Sequence, residues 1–137
     1  MIRWVLGVMM CALTFVACSP SASDKCSDVY SSTHYLAEYL VQISMELEKT
    51  TDSAQALQNV QAYASRSQKT VDVCVSLIND TLKNMTNEEV LKHHEAYISD
   101  PRVKRFLDAQ DRFYEKATPE QIEALDELLT PLFLLSE

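Results

Sequence analysis

Glycine is all but missing from this chain. The one copy, Gly7, lies in the first ten residues and none follows it. Two-residue β-hairpins depend on residues that tolerate positive φ, usually glycine, and phosphate-cradling loops need glycine for close backbone approach. Dinucleotide-binding and P-loop architectures are therefore excluded, and the rest of the chain reads as helix. Positive charge is also scarce: 12 Lys and Arg stand against 20 Asp and Glu, a formal net charge of −8. Nucleic acid requires a cationic face, so it is excluded as a partner, whereas a basic protein suits this balance. With only three histidines, His34, His93 and His94, the chain is poor in metal ligands. A long apolar run is absent too. Trp4 to Val16 carries no charge, but at about 13 residues it falls short of the ~20 that span a bilayer and matches the core of a signal peptide.

What is present at the N-terminus is a positive Arg3, that apolar stretch, and Leu13-Thr14-Phe15-Val16-Ala17-Cys18, followed at once by polar Ser19-Pro20-Ser21-Ala22-Ser23-Asp24. This resembles the lipobox of bacterial lipoproteins, with small Ala17 just before the cysteine. The resemblance covers only the first twenty or so residues. It implies a signal peptide over 1–17, a diacylglycerol- and palmitate-bearing Cys18, and a bilayer partner through those acyl groups. Ser19, in place of Asp after the lipidated cysteine, implies sorting to the outer membrane, facing the periplasm. Residues 18–23 then form the lipidated cysteine and a short tether, and 24–137 the folded domain. Cleavage after residue 17 would leave about 120 residues, enough for one domain with its own core.

Four cysteines occur. Cys11 belongs to the signal segment and Cys18 to the anchor, leaving Cys26 and Cys74 in an oxidising compartment. A first helix over about Asp24–Lys49 carries Cys26, Val29, Thr33, Leu36, Leu40 and Leu47. Thr50-Thr51-Asp52-Ser53 is a turn with capping residues. A second helix carries Leu57, Val60, Ala64, Ser67, Val71, Cys74, Ile78 and Leu82, alternating three and four residues apart. Folding one helix back on the other puts the cysteines about three residues out of level, roughly 4.5 Å at 1.5 Å per residue. A bridge needs Cα atoms within about 7 Å. The spacing thus predicts a disulfide-stapled antiparallel helical hairpin.

Thr86-Asn87-Glu88-Glu89 is a capping box opening a third helix through Val90, Leu91, His94 and Ile98. Asp100-Pro101 starts a fourth, with Val103, Phe106, Leu107, Gln110, Phe113 and Tyr114. Thr118-Pro119-Glu120-Gln121 starts a fifth, with Ile122, Leu125, Leu128 and Leu129, which Pro131 should end or kink. The apolar tail Leu132-Phe133-Leu134-Leu135 is expected to dock on the core. The predicted class is all-α, a four- to five-helix up-down bundle.

Chemistry-bearing patterns are thin. His93 and His94 are adjacent, about 100° apart on a helix, and so are poorly placed to share an ion; His94 is expected on the apolar stripe and His93 in solvent. No serine sits in a glycine-flanked elbow, and the acids read as solvated helix faces. Lys92, Arg102, Lys104 and Arg105 form the one local basic cluster, either distributed over exposed faces or turned to anionic headgroups. Tyr35, Tyr39 and Ile43 form a row beside the Cys26 stripe. Either the first helix is buried on two sides, or this row is an exposed ridge and the candidate partner-binding surface. The expected function is a membrane-anchored, non-enzymatic protein-binding module without cofactor or metal, whose partner is an envelope protein of basic character. In general architecture alone it resembles pilotins and lipoprotein immunity proteins. The alternatives are a carrier of a small apolar ligand, with a cavity lined by Leu40, Val71, Leu77, Phe106 or Leu125, and a structural envelope lipoprotein.

Overall fold

Each helix begins where a side chain can take up the free N–H groups of its first turn. The structure, a computed structural model, describes residues 25–133, so the signal segment, Cys18, the tether and Leu134-Leu135 lie outside the described residues. Five helices make up that span: α1 (Val29–Glu48), α2 (Ser53–Leu82), α3 (Asn87–Ser99), α4 (Pro101–Tyr114) and α5 (Pro119–Phe133). Asp28 and Ser31 form a reciprocal box at the head of α1, and Thr86 and Glu89 form one at the head of α3. Asp52 caps α2, and Asp100 caps α4 ahead of Pro101. Thr118 and Gln121 exchange backbone-to-side-chain bonds at the start of α5. No described residue has positive φ, as a chain nearly devoid of glycine requires.

Burial arranges these helices around α1. Leu36, Leu40, Ile43 and Leu47 are buried on it, and small Ala37 and Ser44 let its neighbours approach closely. One flank meets α2, where the Tyr39 and Tyr63 rings stack 5.6 Å apart. The other flank meets α4. There Arg102 bonds Glu38, and Arg112 and Arg105 reach Glu48. Residue numbers rise together across these pairs, so α1 and α4 run parallel. The order is therefore α1 up, α2 down, α4 up, α5 down. Short α3 lies across the end where α2 and α5 finish, beside Leu82, Leu132 and Phe133. Phe133 stacks on Phe106 at 6.0 Å and tilts against Tyr97 at 6.4 Å. The described part of the apolar tail thus docks, with Leu132 fully buried. Tyr114 donates to Asp126, tying α4 to α5.

The predicted disulfide joins Cys26 to Cys74, Cα atoms 5.2 Å apart, closing the α1–α2 hairpin. Three details differ from expectation. Cys26 precedes α1: the Asp28 cap starts the helix about five residues later than the apolar spacing indicates, and bends at Ser27 and Asp28 bring the cysteine across to α2. On α3, Leu91 and Ile98 are 56% and 39% exposed, because this end piece presses only its Tyr97 edge into the core. The fifth helix does not end at Pro131 and is described through Phe133; proline there removes one backbone hydrogen bond.

The closed loop separates its cysteines by 48 residues. Replacing both cysteines by serine should therefore cost about 4 kcal/mol in urea unfolding, the entropic value for that span. Leu91→Ser should change stability by no more than about 0.5 kcal/mol, whereas Leu125→Ala, at a fully buried site, should cost about 2–5 kcal/mol. Equal losses for the two leucines would place α3 wrongly.

Candidate functional site

At the end of the bundle covered by α3, the heads of α1 and α4 leave an open cleft of about 310 Å³. Val29, Tyr30, Thr33 and His34 come from α1, His93, Ala96 and Tyr97 from α3, and Asp100 and Arg102 from the α3–α4 junction. Helical periodicity explains the α1 contribution, since positions 29, 30, 33 and 34 share one stripe. The Asp100 cap and its Pro101 force the sharp turn that brings Arg102 back toward α1.

Arg102 organises one wall. Its Nε and Nη2 donate to the two oxygens of Asp100 at 3.1 and 2.8 Å, and Nη1 donates to Glu38 at 2.9 Å and to His34 Nδ1 at 2.8 Å. His34 must then carry its proton on Nε2. The fork of bonds from Arg102 holds the Asp100 carboxyl below its ordinary range, against a smaller opposing effect of burial. Asp100 in turn raises the guanidinium above its already high value.

The opposite wall rests on a hydrogen bond between helices. Thr33 Oγ1 donates to Val29 O at 2.7 Å, so its 3.2 Å contact with His93 Nε2 is one in which the imidazole donates. His93 is thus the Nε2–H tautomer, with Nδ1 left as an acceptor. The same geometry bears on nucleophilic chemistry: a threonine that spends its proton on a backbone carbonyl is not being activated by the histidine. Burial, and then the nearby His94, lower the His93 pKa. At the cleft floor Tyr97 is 4% exposed, and its hydroxyl has no hydrogen-bond partner among the described residues. Burial, with Asp100 second, raises its pKa. Tyr30, on the rim, is 80% exposed.

Several expectations need correction here. His93 is half-buried rather than solvated, because the residue that covers it is Thr33 on α1, which the α3 pattern does not reveal; His94 is half-buried as predicted. The Tyr35–Tyr39–Ile43 row is not an exposed ridge. Ile43 and Tyr39 are buried and Tyr35 is partly so, all three in the core around α2. Burial, then Tyr63, raises the Tyr35 pKa, with Thr70 and Ser67 of α2 opposing. The basic cluster fits the reading of cations spread over exposed faces: Arg102 and Arg105 pair with acids on α1 and Lys92 with Glu88 at 2.8 Å, and Lys92, Lys104 and Arg105 are exposed. Leu40, Phe106 and Leu125 are fully buried in the core and Val71 nearly so, while Leu77 lines a separate open groove on α2 with Val73, Ser76 and Asp80. Among the described residues, these five side chains do not line one common cavity.

The cleft itself was missed in the sequence. Its polar groups come from positions about 60–70 residues apart, and no local spacing brings them together. The Asp100-Pro101 signal marks only its corner. No group of three or more metal-ligating side chains forms among the described residues, and none of their helices is long and apolar enough to cross a membrane. The chain matches no known protein family, no curated protein and no solved structure.

The lowered His93 pKa fixes the sign of a pH effect. Since the folded state takes up this proton less readily than the unfolded state, stability is full above pH 6.5 and declines as pH falls below it. NMR titration of the imidazole should place His93 below 6.5, and the urea midpoint should drop between about pH 7.5 and pH 5. His93→Gln should flatten part of that slope. A His93 pKa at or above 6.5 would contradict the buried, donating imidazole described above.

Proposed function

We propose that this chain is a lipid-anchored lipoprotein of the bacterial envelope that acts as a non-enzymatic protein-binding module. Cys18 is its lipidated residue, outer-membrane in sorting and periplasm-facing, and the partner is an envelope protein. The observation that carries the binding reading is the end cleft. It is open, joins three helices, and presents a solvent-exposed tyrosine beside partly buried polar groups, a combination that favours a projecting group of another protein. The surroundings are rigid. The disulfide and the caps fix the head of α1, so little ordering cost falls on binding. Val29, the first residue of the cleft, follows Cys18 by eleven positions, so a partner would be met on the side of the domain nearest the anchor. The acidic surface speeds encounter with a basic target more than it sets affinity.

Two measurements in cells test the two halves of this reading. Cys18→Ser should move the protein from the membrane fraction to the soluble fraction after spheroplasting; unchanged fractionation would remove the anchor. A photo-crosslinking phenylalanine analogue at position 30 should capture one dominant envelope protein, while the same probe at exposed Gln55, near the far end of the bundle, should not. The position-30 yield in isolated membranes should fall as salt rises. Absence of any protein adduct at position 30 would remove the binding-module reading.

A further inference from the structure

All three histidines of this chain stand at one end of the bundle. His34 and His93 line the cleft, and His93 and His94 border a void of about 10 Å³ under α3, with Leu82, Leu132 and Phe133. Histidine is the side chain that ordinarily changes charge between about pH 8 and about pH 5. The helix that carries two of them buries least of the five. Of its 13 residues only Tyr97 is buried, and Leu91 and Ile98 face solvent. A hydrogen bond from His93 to Thr33, 3.2 Å long, latches it to α1. Closure also leaves the Tyr97 hydroxyl buried without a hydrogen-bond partner among the described residues, a cost that opening relieves.

The latch holds His93 neutral. Its Nε2–H goes to Thr33 Oγ1, so a second proton would sit on Nδ1, which has no acceptor among the described residues. The surroundings do not compensate for that charge. From α1 come Tyr30, Thr33 and His34, from α4 comes Arg102, and from α2 and α5 come apolar Leu82, Leu132 and Phe133. Asp100, the one carboxylate lining the cleft, has both oxygens on Arg102. On α3 itself, Glu89 is exposed and accepts from the Thr86 amide, while His94, next in sequence, opposes a positive charge. Burial is the larger obstacle to protonation of His93 and His94 the smaller. An open α3 removes that burial, so the open state takes up the proton more readily and acid favours it.

We propose that α3 is an acid-released flap, which closes the end of the bundle while His93 is neutral and opens on its protonation, baring Leu82, Leu132 and Phe133. The flap goes beyond the binding-module reading and does not depend on it. Its sign is fixed: the closed state is favoured above pH 6.5, the ordinary histidine value. Below that, opening becomes up to about tenfold more frequent per pH unit for one proton taken up, until the closed helix is protonated as well. His94 adds to the effect, because a proton on either ring raises the cost of one on its neighbour while both are held under α3.

The test is native-state amide hydrogen exchange on the full-length protein in non-ionic detergent, read by NMR and corrected for the intrinsic pH dependence of exchange. The amides of Leu91 to Ser99 should exchange through an opening smaller than global unfolding. Its marks are lower protection than in α1 and α2, and little dependence on dilute urea. From about pH 7.5 to about pH 5.5 that opening should become roughly three- to tenfold more frequent. His93→Gln keeps a donor for Thr33 but takes no proton, and should remove most of the rise. Thr33→Val keeps the histidine but removes the acceptor of the latch. There α3 should open about fivefold more often at neutral pH, the value of one neutral hydrogen bond, and still respond to acid. Protection of α3 that does not fall in acid would overturn the flap. So would α3 amides whose protection and urea dependence equal those of α1, since the helix would then open only with the whole fold. An undiminished acid response in His93→Gln would overturn the role given to that imidazole, and unchanged opening in Thr33→Val would remove the latch.

Discussion

The fold depends on α1 being held from two sides at once. Toward α2 the constraint is covalent and apolar: the Cys26–Cys74 bridge, the Tyr39–Tyr63 stack and a seam through Leu36, Leu40 and Ile43. Toward α4 the contact adds polar groups at its rim, with Arg102 and Arg112 reaching Glu38 and Glu48. Exposed ion pairs of this kind contribute little to stability individually. Their importance is directional. They fix the parallel register of α1 and α4 and so decide where Arg102, Asp100 and His34 meet.

From that register the end of the bundle follows. With α1 and α4 both starting there, and α2 and α5 both finishing there, four helix termini converge on one small area, and α3 is laid across it. A helix that presses only Tyr97 fully into the core cannot fill the space between two helix heads. The cleft is what remains. Its polarity has the same origin in part, since helix heads recruit capping and first-turn polar residues, here Asp100 and Arg102.

Much of this fold was legible in the sequence, because it is written in local rules. The missing glycine, the three-and-four spacing from Val60 to Leu82, and the caps at Asp52, Thr86, Asp100 and Thr118 each act within a turn or two, and the helices start where those caps indicate. The cysteine pairing was legible because one hairpin turn fixes the relative level of two rods. The failures share a cause as well. The face that Leu91 and Ile98 present and the cover over His93 depend on which helix lies alongside, and the same dependence left open whether the Tyr35–Tyr39–Ile43 row is buried on two sides, as it is, or exposed. Periodicity identifies an apolar stripe without naming its neighbour, and a helix packed on two sides has a stripe wider than a single seam predicts. The cleft belongs to this second kind, being assembled from α1, α3 and the head of α4 by the parallel register alone.

Electrostatics link the fold to the proposed mode of attachment. The chain has few cations, and Arg102, Arg105 and Arg112 each pair with an acid on α1. Acids outnumber bases 20 to 12 over the whole chain, a formal net charge of −8. Such a balance is repelled by anionic headgroups, so the domain cannot be held to a membrane by charge. In the proposed reading, attachment comes from buried hydrocarbon. A single acyl chain gives only marginal, reversible binding, whereas stable anchoring takes a second signal, which a diacylglycerol plus a further acyl group at one cysteine would supply. A lipidated Cys18 would therefore supply what the domain's own surface opposes. The same negative field that keeps the domain off the lipid would leave its tethered end open to a basic protein partner, within a Debye length of about 8 Å at physiological salt.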